Sequence, residues 1–233
     1  MTACSHQWVE DPNERGCGCE FQHCARCGAW QKLQRCYAHR AAGDRGGADY
    51  YRTPGMAMWH EDGITPRNRP VHIEALRALT RIEPAAHVLE IGAGVGRLVP
   101  LFLRAGCQYA AVEPDRWAAR YIRQAYGVPV VCRTLETAHL DEARGAVVAV
   151  HALEHFHAAD AAFERMVALV APGNWLLIVV PDGSDRWNPD HWWGLSTITL
   201  SNWGAALGLE LLYMRTDPGT PEAVVTATWR KPA

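Results

Sequence analysis

Short apolar runs and helically spaced apolar residues alternate along the last two thirds of the chain. The runs cover 88–91, 109–112, 128–132, 146–150 and 175–180. Their length and composition predict buried strands. Between and around them, apolar residues recur every three or four positions at 71–79, 98–105, 116–125, 161–170 and 195–207. This order of elements predicts an α/β fold with a mostly parallel sheet and helices on both faces.

The composition is that of an ordinary globular protein with one hydrophobic core. The 233 residues are 48% hydrophobic and 21% charged, which suits a single α/β core with a small appendage. The formal net charge of −2 gives no reason to expect broad binding to nucleic acid or to anionic membranes. No apolar run has the length of a membrane span, and the N-terminus lacks the features of a signal peptide. We therefore expect a cytoplasmic protein.

A glycine-rich turn follows the first predicted strand. Gly92, Gly94 and Gly96 are spaced by two, and Glu90 precedes the first of them by two. Glycines allow positive φ and let a ligand approach the backbone closely. A second acid, Glu113, closes the next apolar run, at the distance where a ribose-binding carboxylate belongs in such a unit. The pattern predicts a nucleotide-like ligand on this turn.

The acid followed by G-x-G-x-G resembles motif I of the class I S-adenosylmethionine (SAM)-dependent methyltransferases. The resemblance extends over roughly residues 70–230 and implies a Rossmann-like sheet of seven strands, closed by a hairpin of 209–214 and 224–229. It also implies a set of cofactor-binding residues: Glu90, Gly92, Ala93, Gly94, Gly96, Glu113, Leu135 and His151. Glu136 is the neighbouring candidate for the adenine. An NAD-dependent dehydrogenase fits less well, because the third glycine comes one residue too early.

The segment after the predicted strand 146–150 carries His151, Glu154 and His155. It resembles the L-E-H motif of a methyltransferase subgroup that includes ubiquinone-pathway O-methyltransferases, in some of which this turn binds a divalent metal. Two interpretations stay open. Either the three residues hold a second divalent metal that polarises a hydroxyl, or Glu154 caps backbone amides while His155 packs beneath the cleft. His151 or His155 is the candidate catalytic base.

Six of the eight cysteines lie within the first 36 residues. Clustered thiols in a reducing compartment point to metal binding rather than to disulfides. Cys24 and Cys27 form a knuckle, and Cys4 with His6 is the preferred second pair, with Cys17 and Cys19 as alternates. The arrangement resembles short zinc ribbons. Four protein ligands would make the zinc structural.

We divide the chain into a zinc-binding module at 1–40, a linker and possible lid over the cofactor cleft at 41–69, and a methyltransferase domain at 70–233. The aromatic stretch within 41–69 is either that lid or a surface strip packed on the core. Four tryptophans lie between Trp187 and Trp203, either as a substrate wall or as an aromatic mini-core that seals the loop.

The predicted function is methyl transfer from SAM to an oxygen or nitrogen of a small or carrier-bound substrate. The alternative is a methyltransferase-like scaffold that docks a protein partner through its zinc module. The presence of Glu90, Gly92, Gly94 and Glu113 together argues against a decayed cofactor pocket.

Overall fold

The computed structural model describes residues 6–11, 20–34, 87–140, 145–183, 191–217 and 223–233. Several sequence predictions lie outside these ranges: the helix at 71–79, the lid or strip at 41–69, Trp187, and the candidate ligands Cys4, Cys17 and Cys19. Within the described part of the chain, none of the helices has the length and hydropathy needed to cross a membrane.

The larger of two sheets has seven strands: β4 (His87–Ile91), β5 (Gln108–Val112), β6 (Val130–Val131), β7 (Ala146–Val150), β8 (Trp175–Pro181), β10 (Glu210–Asp217) and β11 (Val224–Arg230). Their order across the sheet is β10-β11-β8-β7-β4-β5-β6. The first five are parallel, while β11 runs antiparallel to both β8 and β10. The predicted sheet and its closing hairpin are confirmed.

Four described helices flank this sheet: α1 (Val99–Arg104), α2 (Arg116–Tyr126), α3 (Ala159–Leu169) and α4 (Thr197–Ala206). Helix α2 begins where the Asp115 carboxylate accepts a 2.8 Å hydrogen bond from the Ala118 amide, and it ends at Gly127 with φ of 69°. Both ends therefore have the capping chemistry that helix termini favour.

The two faces of the sheet bury separate core clusters. One cluster packs α1 and α2, through Phe102 and Ile122, against strand residues such as Val148. The other packs α3 and α4, through Phe163 and Trp203, against alternate strand residues such as Ala149. Strand side chains point to opposite faces in turn, so each buried strand contributes to both clusters.

The smaller sheet is antiparallel and is made of β1 (Trp8–Asp11), β2 (Glu20–Cys24), β3 (Trp30–Gln34) and β9 (Trp193–Gly194). The strands lie in the order β1-β2-β3-β9. In the pairing of β3 with β9, Trp30 lies opposite Gly194 and Gln31 opposite Trp193. We call this the N-terminal sheet. It joins the predicted zinc module to a strand from the far end of the chain.

Two elements differ from their predictions. The strand predicted at 128–132 is reduced to Val130–Val131, because Pro129 has no N–H to give to a ladder; its carbonyl still accepts a 3.0 Å hydrogen bond from Ala111. The predicted helical turn 151–155 is a 3-10 turn over Leu153–His155 only. His151 precedes it in the left-handed region, with φ of 51°.

Candidate active site and metal centres

The glycine turn joins β4 to α1 and lies at the carboxyl end of the sheet, where open α/β folds bind ligands. Gly92, Gly94 and Gly96 all have positive φ, at 72°, 57° and 74°. A Cβ at Gly92 would lie 2.7 Å from the Cβ of Ala152. The turn is thus pressed against the segment that follows β7, and a side chain at Gly92 would force the two apart.

Glu113 follows β5 and is almost completely buried beside this turn. One carboxylate oxygen accepts a 2.7 Å hydrogen bond from the Gly94 amide, and the other accepts a 2.8 Å bond from the Asp115 amide. Burial raises the pKa of Glu113 to about 7, against the opposing effect of these two amides. The predicted ribose-binding carboxylate therefore lies in direct contact with the predicted cofactor turn.

Glu90 lies on the neighbouring strand β4 and is buried as well. The Tyr109 hydroxyl donates a hydrogen bond to its carboxylate. Burial raises the pKa of Glu90 to about 8, the Tyr109 bond lowers it, and the charge of Glu113 raises it further. Tyr109 is not among the predicted site residues. Its phenol lies on the parallel strand next to the one that carries Glu90, so the two side chains are easily brought together.

The remaining cofactor candidates differ in exposure. Ala93 is buried and packs in the same cluster as α1 and α2. Leu135 is 2% exposed and packs in the opposite cluster, whereas Glu136 is exposed. The turn that carries Leu135 follows β6, so it lies at the same edge of the sheet as Glu113. These positions are compatible with the predicted roles.

The segment after β7 surrounds a buried carboxylate with imidazoles. The Glu154 side chain is 2% exposed, and its Oε1 lies 3.5 Å from Nδ1 of His151, 3.9 Å from Nε2 of His155 and 4.0 Å from Nε2 of His191. Burial alone would raise the pKa of Glu154, but the His151 side chain and the charges of His155 and His191 lower it to about 2. Glu154 is therefore a carboxylate at neutral pH.

Neither carboxylate oxygen of Glu154 makes a hydrogen bond of ordinary geometry with a described residue, since Nδ1 of His151, the nearest imidazole nitrogen, is 3.5 Å from Oε1. A buried carboxylate without such hydrogen bonds is costly, so the position suits a metal, a water or a substrate group. Ligand atoms of Glu154, His155 and His191 all lie within 4.8 Å of one another. We call these three residues the cleft cluster.

The cleft cluster differs from the predicted ligand set of the second metal, and the metal itself stays a prediction. That set was His151, Glu154 and His155 on one face of a helical turn. His151 adopts a left-handed backbone conformation before the turn begins, so the helical spacing does not apply to it, and His191 takes its place in the group. His191 has no sequence signal beyond its position in the aromatic segment after β8.

His6, Cys24 and Cys27 come together at the N-terminal sheet. Their ligand atoms lie within 4.8 Å of one another, with the His6 Nδ1 3.6 Å from the Cys27 Sγ. Burial would raise the pKa of Cys24, but hydrogen bonds from the Cys27 backbone and the His6 side chain, with further backbone bonds, lower it to about 6. A thiolate is the form that binds metal.

The other nitrogen of His6 faces a carboxylate, since its Nε2 lies 3.9 Å from Oδ2 of Asp160 on α3. Metal-bound histidines commonly present their second nitrogen to such a carboxylate, which orients the ring. Three of the four preferred zinc ligands are thus near one another, and the fourth, Cys4, lies outside the described residues.

Aromatic side chains connect this thiol–imidazole site to the core. The His6 ring stacks on Trp8 at 4.5 Å and lies 5.6 Å from Trp193, which in turn lies 5.9 Å from Trp203. Trp193 and Trp203 are both buried, so these two tryptophans of the 187–203 segment pack in a mini-core. Trp192 is half-buried, and its ring lies 4.1 Å from that of His157.

The fold and the glycine turn with its carboxylates define a class I SAM-dependent methyltransferase. A family model described as "Methyltransferase domain" matches residues 67–212, and the chain belongs to this family. A sequence comparison with curated proteins gives no match.

Solved structures with the same fold include enzymes with a bound product of the cofactor. The 1,6-didemethyltoxoflavin-N1-methyltransferase of Burkholderia thailandensis, with S-adenosylhomocysteine bound, is 21% identical; the match covers 91% of this chain and 99% of that one, with a TM-score of 0.64. The N-methyltransferase NodS of Bradyrhizobium japonicum WM9, also with S-adenosylhomocysteine, is 17% identical over 84% of this chain and 97% of its own, with a TM-score of 0.63.

The [4+2]-cyclase SpnF also shares the fold, at 16% identity over 75% of this chain and 85% of its own, with a TM-score of 0.61. The fold alone therefore does not determine the reaction. For this chain the family match adds to the fold, and both support SAM as its cofactor.

Proposed function

We propose that the protein transfers the methyl group of SAM to an oxygen or nitrogen of a small-molecule or carrier-bound acceptor. The bound cofactor would supply an electrophilic methyl on a sulfonium, so the chain has to bind it, orient the acceptor and take up a proton. The observation that carries the proposal is the position of Glu154. Its buried, ionised carboxylate lies next to the His151 ring, in the segment that contacts Gly92 through Ala152.

Binding would rest on Glu113 and the glycine turn. The Glu113 oxygens already accept hydrogen bonds from two amides, and ribose hydroxyls can be added as further donors, because each carboxylate oxygen has two acceptor positions. The positive φ of Gly94, at 57°, belongs to the turn conformation that brings its amide to Glu113.

His151 would be the catalytic base. Its side chain is 36% exposed, while the Glu154 carboxylate beneath it is 2% exposed. The backbone amide of His151 is fixed by a 2.8 Å hydrogen bond to the Val179 carbonyl. A carboxylate beside one ring nitrogen favours a proton there and leaves the other nitrogen free to take a proton from a hydroxyl or an amine. His155 has a 41% exposed side chain and is the second candidate.

A divalent metal on the cleft cluster would be the other use of Glu154. One carboxylate and two imidazoles form a donor set that suits zinc or manganese, and an open position would polarise an acceptor hydroxyl. His6, Cys24 and Cys27, with Cys4 as the fourth ligand, would hold a separate structural zinc. A protein partner for this module stays a prediction.

The test begins with calorimetric titration of S-adenosylhomocysteine into the purified full chain, with NADH as the control ligand. Micromolar binding of S-adenosylhomocysteine alone is expected. Absence of binding by a folded, metal-loaded sample would overturn the assignment and favour the scaffold alternative.

The base is tested with isotope-labelled SAM and a panel of hydroxylated and amino-substituted small molecules. For any acceptor found, His151→Gln is expected to lower kcat at least 100-fold and to leave the affinity for S-adenosylhomocysteine within about twofold. His139→Gln, at an exposed histidine, is the matched control. A kcat for His151→Gln close to that of the control would move the base to His155 or to a metal.

Counting metals separates the two sites. Elemental analysis of the wild type is expected to give one zinc per chain if only the thiol–imidazole site is filled, and two metals if the cleft cluster is filled too. Cys24→Ser with Cys27→Ser should remove one metal, and Glu154→Gln with His191→Gln should remove only the other.

A further inference from the structure

The N-terminal sheet lies against the cleft, and its contacts form a continuous path from the thiol–imidazole site to His191. Cys27 begins that path, because its backbone carbonyl accepts a 2.8 Å hydrogen bond from the Thr199 hydroxyl on α4. Cys24, Cys27, Ala29, Trp193 and Trp203 belong to one buried cluster. The site is therefore anchored in the core of the larger domain.

Trp30 is the next contact. It follows Cys27 by three residues and is 2% exposed, and its indole N–H donates to the carbonyl of Gly183, just after β8. The same indole lies against Gly194 of β9, so closely that a Cβ at Gly194 would overlap it. Trp30 thus connects the thiol knuckle to both ends of the segment that contains His191.

Strand β3 then holds the residues beside His191. The Lys32 amide donates a 2.8 Å hydrogen bond to the Trp192 carbonyl, and the Trp192 amide donates a 2.8 Å bond to the Glu154 carbonyl. The Trp193 indole and the Gln31 side chain both donate to the His157 carbonyl, at 3.0 and 3.4 Å. These bonds attach β3 to the turn that carries Glu154.

We propose that the thiol–imidazole site positions His191 in the active site. Metal bound by His6, Cys24 and Cys27 fixes the start of β3, β3 fixes β9 and Trp192, and these hold the His191 imidazole 4.0 Å from the Glu154 carboxylate. Trp30 is a positioning residue in this scheme, and His191 is the residue that is positioned. The inference rests on the zinc proposed above and adds a function to it: the metal orders the side of the cleft that faces the acceptor.

The cofactor side is expected to be independent of this metal. Among the cofactor candidates, Leu135 shares the buried cluster of Cys24 and Cys27. Ala93 and Leu98 of the cofactor turn, however, pack with α1 and α2 in the cluster on the other face of the sheet, and Glu113 is held by local backbone amides. Loss of the metal should therefore disturb His191 without a large change in cofactor affinity. A metal that only stabilised the whole fold would affect both sides together.

The experiment uses the full chain labelled at histidine, with the imidazole signals followed by NMR and the His191 signal assigned from His191→Gln. Cys24→Ser with Cys27→Ser is compared with a control that changes the two other described cysteines, Cys107→Ser with Cys132→Ser. We expect the first variant to lose one zinc per chain and its His191 signal to move to the position of an exposed imidazole. Its affinity for S-adenosylhomocysteine should stay within about twofold, and the control should change none of the three.

A second variant breaks the path without touching a metal ligand. Gly194→Ala places a methyl group where the Trp30 indole lies. Gly173→Ala, where φ is 77° and the added Cβ meets nothing within 4 Å, is the control for the backbone cost of replacing a glycine far from this contact. Gly194→Ala is expected to keep its zinc and to shift the His191 signal, which also provides the test if the cysteine variant does not fold.

The outcomes are separable. Zinc loss with an unchanged His191 signal, or an unchanged signal in Gly194→Ala, overturns the positioning role. A wild type without zinc overturns it together with the proposed zinc site. Failure to bind S-adenosylhomocysteine overturns the proposed function and leaves the His191 measurement intact.

Discussion

The backbone amide of Gly94 donates a 2.7 Å hydrogen bond to the Glu113 carboxylate. This bond ties the glycine turn after β4 to the acid that follows β5, and a second bond, from the Asp115 amide, holds the carboxylate from its other side. The same carboxylate therefore shapes the turn and presents acceptor positions beside it. Both roles can be separated by substitution.

Glu113→Gln should weaken binding of S-adenosylhomocysteine roughly 10- to 100-fold, because hydrogen bonds to a charged acceptor contribute about 1.5–3 kcal/mol. The amide side chain keeps one acceptor oxygen, so the turn should remain folded. Calorimetric titration checks the affinity, and Glu136→Gln, at an exposed glutamate, is the control. An affinity within twofold of the wild type would remove Glu113 from the site.

Cofactor affinity should also depend on pH. The pKa of Glu113 is raised to about 7 by burial, so the carboxyl is largely protonated at pH 6 and largely ionised at pH 8. A ribose hydroxyl donates to the ionised form, and binding should therefore release a proton below pH 7. We expect the Kd for S-adenosylhomocysteine to be roughly tenfold lower at pH 8 than at pH 6. Titrations in two buffers of different ionisation enthalpy count the protons, and a flat profile in Glu113→Gln is the expected control result.

Gly92→Ala should destabilise the fold by more than the backbone strain of a positive φ alone accounts for. Gly92 and Gly106 both have positive φ, at 72° and 79°, but an added Cβ meets Ala152 at 2.7 Å in the first case and open space in the second. We expect Gly106→Ala to cost about 1 kcal/mol and Gly92→Ala about 1–3 kcal/mol more. Chemical denaturation of both variants measures the difference, and equal costs would show that the Ala152 contact adjusts freely.

Glu90→Gln should remove a loss of stability that the wild type shows as the pH rises from 4.5 to 8. The pKa of Glu90 is raised from its ordinary value of 4.5 to about 8 in the folded protein, chiefly by burial. Between these two pH values the folded protein therefore keeps a proton on Glu90 that the unfolded chain has released. The resulting stabilisation is complete below pH 4.5 and is lost as the pH rises to 8. Relative to Glu90→Gln, the wild-type free energy of unfolding should fall by up to about 1.4 kcal/mol per pH unit across that window.

Urea denaturation of wild type and Glu90→Gln at several pH values from 5 to 9 provides the measurement. Both proteins share every other titrating group, so the difference between them isolates Glu90. A difference that does not change with pH would mean that Glu90 is already ionised in the folded protein.

The hydrophobic pattern predicts the parallel strands of the larger sheet, because β4, β5, β7 and β8 are short and largely buried apolar runs. The closing hairpin is implied by the family resemblance instead, since most of β10 is exposed or half-buried. The glycine turn and Glu113 were predictable because the residues that meet are separated by one strand–helix–strand unit. Local chemistry also accounts for the start of α2, where the Asp115 carboxylate caps the helix.

Contacts between distant segments were not predictable in this way. His191 lies 4.0 Å from Glu154 just before β9, which pairs with β3, and a two-residue strand such as Trp193–Gly194 has too little pattern to be recognised. His151 precedes the 3-10 turn with a left-handed φ of 51°, which the predicted helical spacing did not include. Neither a two-residue strand nor a single dihedral angle leaves a hydrophobic period in a sequence.

The pairing of Trp30 with Gly194 has a consequence for synthesis of the chain. Ribosomes extend polypeptides from the N-terminus, so β1, β2 and β3 emerge long before their fourth strand. Until residue 194 has left the exit tunnel, the β3 edge that β9 will occupy lies open, and open strand edges invite aggregation. Folding of this protein during translation therefore depends on protection of the β3 edge. Moving β1–β3 to the C-terminal end of the chain would shorten the time for which that edge is exposed.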